Sequence, residues 1–162
     1  MDTPSVTYAG FWKRFLAYLI DGFVLSFVYL ILFVPFLLLV GAGAAFSSGS
    51  GYDQENAASA GLLAAMVSGY IFVLIVVITV AGWLYFALME SSSKGATLGK
   101  MALGIRVTDL NGNKISFGRA TGRYFGKIIS GLILYIGFIM AGFTQQKQAL
   151  HDIMAGCLVI NK

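Results

Sequence analysis

Charge is scarce in this chain. Asp, Glu, Lys and Arg make up 11% of its 162 residues, against about 25% in an average soluble domain. So little charge cannot coat a soluble globule, and a soluble fold is excluded first. Cysteine occurs once, as Cys157, and histidine once, as His151. A single thiol excludes an intrachain disulfide. A single histidine, with no acids or thiols at ligand spacing, leaves no basis for a metal site, and no cofactor is expected. No serine stands in a recognisable hydrolase order with a histidine and an acid, so enzymatic activity is not expected either. The stretch "GATLGK" at 95–100 has three residues between its glycines and Met101 after its lysine. A phosphate loop needs four, followed by Ser or Thr, so nucleotide binding is excluded.

What is present is apolar: 58% of the residues. Two long runs stand out, at about 11–41 and 57–89. Each exceeds the roughly 20 apolar residues needed to cross a bilayer, so tilt or bending is expected. Pro35 is the expected kink in the first, because its ring removes a helix hydrogen bond. The uncharged stretch from Gly22 is longer than a signal-peptide core, so the run is expected to be a retained anchor. In the second run Gly61, Ala65 and Gly69 recur every four residues, a spacing that lets helices approach closely.

The polar stretch between the runs, "SSGSGYDQEN", carries no Lys or Arg. Segment 90–127 carries seven of the eleven basic residues, and Lys13 and Arg14 precede the first run. The positive-inside rule then puts the N-terminus and 90–127 in the cytoplasm and the polar loop outside. The net charge of +4 serves this orientation. Lys94, Lys100, Arg106, Arg119, Arg123 and Lys127 are expected to meet the headgroups of an anionic inner leaflet. No nucleic-acid reading element accompanies them, and nucleic acid is not an expected partner.

Inside the basic segment, Asn111-Gly112 is a hairpin signal, since both residues accept the positive φ of a type I′ turn. Ile105 and Val107 on one side would pair with Ile115 and Phe117 on the other. Leu98, Met101 and Ala102 fit one face of a short helix capped by Thr97. A third apolar segment, 128–144, is short for one crossing and is broken by Gly131, Gly137 and Gly142. Either it crosses once, or it re-enters and returns the 145–162 tail to the cytoplasm. Re-entry is favoured, because the strand-like "CLVIN" of the tail could then pair with "GIRVTD". The expected fold is therefore an all-α integral membrane protein forming one domain over 1–162. It has two long spans, a short or re-entrant third segment and a small cytoplasmic β-hairpin.

The stretches "GFWKRFLAYLID", "TLGKMALGIRVTDLNGNKIS" and "QALHDIMAGCLVI", in this order, resemble the RDD family of small bacterial-type membrane proteins. The resemblance covers nearly the whole chain. It places the family's arginine on Arg14, its first aspartate on Asp21 and its second on Asp152, with Asp109 the weaker choice. It implies a multi-pass protein of the inner (plasma) membrane. For some members it implies exchange of sodium or potassium for protons.

Asp21 is the sharpest single feature. It opens an uncharged stretch about two turns after Arg14, on nearly the same helix face. The axial gap of about 10.5 Å is long for a direct pair. Arg14 can snorkel to headgroups, whereas a short carboxylate cannot. Its charge costs about 2.5–3.5 kcal/mol at a helix centre, so it must be protonated, paired or solvated. Two readings stay open. Asp21, with Arg14, is an ion or proton site; or Asp21 is held structurally by Arg14, Arg123, Lys127 or a helix end. His151-Asp152 likewise reads either as a proton relay or as a structural pair in which Asp152 caps a helix or meets Arg106 or Arg119. Two functions follow. One is a monovalent cation/proton antiporter, which needs a homo-oligomer to enclose a pathway. The other is a non-transporting scaffold or partner subunit of a membrane complex.

Overall fold

The computed structural model describes residues 6–48 and 54–162. Its chain order is α1 (Phe11–Ser48), α2 (Gln54–Ser91), α3 (Leu98–Ala102), β1 (Ile105–Asp109), α4 (Phe117–Leu132), α5 (Ile136–Phe143), α6 (Leu150–Met154) and β2 (Cys157–Asn161). The centre of the polar loop expected between the spans, 49–53, lies outside the described residues. The fold is mostly helical with one small sheet.

Helices α1 and α2 contain apolar stretches, Phe11–Gly43 and Gly61–Ser91, long enough to cross a membrane. They bury almost nothing: none of the first apolar window and 17% of the second. A helix apolar on all sides yet exposed needs an apolar solvent. Helix α1 runs unbroken through Pro35.

The chain forms two compact units. One comprises residues 24–81, which hold the C-terminal part of α1 and the N-terminal part of α2. There Tyr70 donates from its hydroxyl to the Leu32 carbonyl at 2.7 Å and stacks on Phe36 at a centroid distance of 5.6 Å. Leu63 reaches within 3.6 Å of where a Gly43 Cβ would be. The small residues Gly61, Ala65 and Gly69 point away from these contacts, and nothing lies against the two glycines.

The other unit comprises residues 1–23 and 82–162. Its sheet corrects the expected hairpin. β1 pairs antiparallel with β2, Ile105 opposite Asn161 and Asp109 opposite Cys157. On its other edge β2 meets the N-terminal segment: Ala9 N–H donates to the Val159 carbonyl at 2.9 Å and Asn161 N–H to the Thr7 carbonyl at 2.9 Å. The Asn111-Gly112 turn does form, but as a loop knotted on Asp109, whose carboxylate accepts from Asn111 N–H and Asn113 N–H. Only Gly112 of the pair takes positive φ, 83°, so the turn is not the type that pairs strands. Ser116 then accepts from Arg119 N–H and starts α4. That cap turns Phe117 into a helix residue, while Ile115 is buried in the core.

The core packs Ala9, Ala17 and Ala87 against Ile105, Val107, Cys157 and Val159. Small residues on the two long helices let the sheet approach their backbones. Helix α4 buries Ala120, Arg123, Gly126 and Ser130, a helical stripe with one charge in it. Helices α4 and α5 meet at a bend of 103°. The break falls at Leu134 and Tyr135, both with positive φ, rather than at Gly131. Gly137 is needed just after the bend. A Cβ there would lie 2.7 Å from Ser130 Cβ, so only glycine lets α5 fold back on α4.

Candidate functional site

Two polar knots organise the sheet-bearing unit. The first is built on Asp21, which is 1% exposed. Its Oδ1 accepts from the Tyr85 hydroxyl at 2.8 Å and from Gly99 N–H at 2.7 Å; its Oδ2 accepts from the Thr97 hydroxyl at 2.6 Å. Leu98 N–H donates to the Tyr85 oxygen at 3.2 Å. Two orphan N–H groups at the start of α3 are thus satisfied by side chains of α1 and α2. Thr97 stands at the N-cap position but makes no cap hydrogen bond, because its hydroxyl serves Asp21. Gly99 makes the approach feasible: a Cβ there would collide with the Ala17 carbonyl oxygen and stand 3.0 Å from Asp21 Cγ. The expected apolar face of α3 is not the buried one. Gly99 and Lys100 are buried, while Leu98 is 43% exposed.

The second knot is ionic. Asp152, fully buried, receives Arg14 Nη1 on Oδ2, and Arg123 Nε and Nη2 on Oδ1 at 3.1 and 2.5 Å. It also accepts from Ala149 N–H at 3.2 Å, closing the first turn of α6. The third Arg123 nitrogen, Nη1, reaches Glu90 Oε2 at 2.6 Å. Glu90, also fully buried, takes Lys100 Nζ on Oε1 at 2.6 Å, with Lys127 Nζ at 3.4 Å. Lys127 also lies 4.2 Å over the Phe86 ring, a cation–π contact. Arg123 therefore ties α2, α4 and α6 together through one planar group, a geometry that lysine cannot reproduce.

Burial alone would raise the Asp152 pKa, but Arg123 and Arg14 outweigh it and hold the carboxyl well below the usual range. Burial pushes the Lys100 ammonium down to about 8, against the opposing pull of Glu90. Burial likewise pushes His151 down to about 3 from 6.5, with Asp152 opposing and Arg123 and Lys127 adding to the shift. His151 is therefore neutral at physiological pH, its Nε2 3.4 Å from Asp152 Oδ1.

The sign of the resulting pH dependence follows from the proton count. Between about pH 6.5 and about 3 the unfolded chain binds a proton at His151 that the folded chain does not. Stability is therefore expected to fall as pH drops through that window. Melting temperature measured against pH in detergent checks this: His151→Gln should flatten the curve there. An unchanged slope would remove His151 as the cause.

The expected site residues are thus divided. Arg14 meets Asp152, not Asp21. Asp152 meets Arg14 and Arg123 rather than Arg106 or Arg119. Of the six basic residues expected at headgroups, Lys94, Arg106 and Arg119 are exposed. Arg123 and Lys100 are buried, and Lys127 is partly buried, all three turned to Glu90. Glu90 is the residue sequence reasoning missed. It is the first charge after some thirty residues of apolar run, so the argument applied to Asp21 could have found it. Among the described residues no cluster could hold a metal ion.

A cavity of about 340 Å³ lies beside both knots, lined by Asp21, Arg14, Lys100, Arg123, Lys127 and His151 among others.

Two helices long and apolar enough to cross a membrane, in a mostly helical chain, define a helical membrane protein. The chain belongs to the RDD family, whose model matches residues 8–156. It is 41% identical over 155 residues to the uncharacterized protein YxaI of Bacillus subtilis (strain 168), covering 95% of this chain and 97% of that one. It is 29% identical over 161 residues to the uncharacterized membrane protein YteJ of the same strain, covering 96% and 82%. No solved structure matches the chain.

Proposed function

We propose that the chain is a non-transporting membrane module, a scaffold or partner subunit, in which Arg14, Asp21 and Asp152 hold the short helices and the sheet against the first turns of α1 and the last turns of α2. One observation carries this reading: Asp21 is faced by donors. Two hydroxyls and a backbone N–H take three of its roughly four acceptor positions. A cation site needs oxygen acceptors facing the ion, whereas here N–H and O–H groups point at the carboxylate. The reading contains no catalytic step. Its partners are the bilayer and either a second copy or another membrane subunit.

The antiporter reading retains one observation in its favour, that Asp21 lines the cavity. Asp21→Asn separates the two. The scaffold reading expects lower membrane abundance and a lower melting temperature, with no proton-coupled sodium or potassium flux from wild-type proteoliposomes. Wild-type flux that Asp21→Asn abolishes while the fold survives would overturn it.

The module is oriented with the N-terminus, the basic segment and the C-terminus in the cytoplasm, and 128–144 re-enters. The pairing of β2 with both β1 and residues 7–9 supports this, as does the sharp bend between α4 and α5. A Lys162→Cys protein should react with an impermeant thiol reagent in inverted vesicles and not in intact cells. Cys157 gives a quiet background, since it is buried and burial raises its thiol pKa. Labelling of intact cells would reverse the orientation.

A further inference from the structure

The ionic knot is unbalanced. Four side chains carry positive charge, Arg14, Lys100, Arg123 and Lys127, and they share two carboxylates, Glu90 and Asp152. Asp21 lines the cavity beside the knot, and its three donors are neutral and cancel none of its charge, so four cations face three carboxylates and the surplus is one. All four cations line the same cavity. Buried charge without a counter-charge is costly, so a surplus of this kind calls for a negative guest. An unused donor stands at the same place. Arg14 Nη2 is buried without a hydrogen-bond partner, and Arg14 lines the cavity. Lys127 holds Glu90 only at 3.4 Å.

The rest of the wall is apolar. Phe15, Tyr18, Phe86, Tyr135, Phe138 and Ile139 contribute to it. Phe15, Tyr18, Tyr135 and Ile139 are also exposed, so the cavity is reached from the outer face of the unit. That face sits where α1 begins and α2 ends their membrane-compatible stretches; in the orientation proposed above, this end meets the headgroups of the inner leaflet. A cationic floor and an aromatic wall at such a boundary match an amphiphile with an acidic head.

We infer that this cavity is a binding site for the phosphate head of an anionic phospholipid, with Arg14, Lys100 and Lys127 on the phosphate and the aromatic wall along the first part of the acyl chain. The surplus charge sets the head group: a zwitterionic lipid would bring its own cation against the four already present. Arg14 offers Nη2, since its Nε donates to the Ala9 carbonyl and its Nη1 to Asp152. The lipid then completes the knot rather than merely surrounding the helices. The site is compatible with the module reading but separable from it: lipid titration reports nothing on transport, and a flux assay reports nothing on head-group selectivity.

The test uses the full chain in a neutral detergent. It is titrated with dioctanoyl phosphatidylglycerol, dioctanoyl phosphatidylcholine and inorganic phosphate, following melting temperature and the retained lipid by native mass spectrometry. Phosphatidylglycerol should raise the melting temperature saturably and stay bound, and the other two should do neither. Lys127→Gln leaves Glu90 its two 2.6 Å partners and should weaken the phosphatidylglycerol midpoint about fivefold. Ile139→Trp keeps every charge, fills the wall and should also weaken it, deciding the matter if Lys127→Gln does not fold. Equal response to phosphatidylcholine overturns the inference. So does phosphate alone reproducing the shift, which would mean a free-anion site, and so does wild-type affinity in the folded variants.

Discussion

Asp152→Ala is expected to destabilise the protein by about 3–5 kcal/mol, the usual result of removing one partner from a buried pair. The loss comes from what remains. Arg123 is 1% exposed and would keep one acid of two; Arg14 would lose its one carboxylate partner among the described residues. The α6 N-terminus would lose the acceptor for Ala149 N–H. Against a total stability of about 5–15 kcal/mol for ordinary domains, such a loss should show as little protein in the membrane and a melting temperature lowered by many degrees. Asp152→Asn keeps the shape and one acceptor but not the charge, and should fall between. A folded Asp152→Ala protein melting near the wild type would remove the ionic knot as the element holding the sheet-bearing unit together.

Glu90→Ala should cost a similar amount, about 3–5 kcal/mol, by a different route. It strands Lys100, Arg123 and Lys127 in one place, so repulsion adds to lost pairing. Lys100 has a cheaper escape than the arginine. Its pKa already stands at about 8, and without Glu90 it can lose its proton, whereas a guanidinium cannot. The Glu90→Ala protein should therefore regain stability as pH rises from 7 to 9. Thermal melts across that range check the sign: a flat or falling profile would mean that Lys100 does not carry the surplus charge.

These expectations rest on residues of unequal visibility in the sequence. The two long apolar runs and the basic 90–127 segment needed no tertiary information, because length, hydropathy and charge are local properties. The strand character of "CLVIN" and its match to "GIRVTD" could also be read. The hairpin misled for a local reason: Asn111-Gly112 does turn the chain, yet Asp109 binds the turn to itself and Ser116 starts a helix. A turn signal fixes a change of direction and not which strand answers. Asp21 was recognisable as a carboxylate that must be shielded. Its shield of Tyr85, Thr97 and Gly99 was not, since those residues lie 64 to 78 positions away.

By itself, the order of residues determined the medium this protein requires and the need to bury its acids, because both follow from transfer energies that each side chain carries wherever it sits. Tertiary structure alone decided the partners: Arg14 with Asp152 rather than Asp21, and Lys100 with Glu90. Ion pairing depends on distances of a few ångströms, and those arise only when α1, α2, α4 and α6 are packed together.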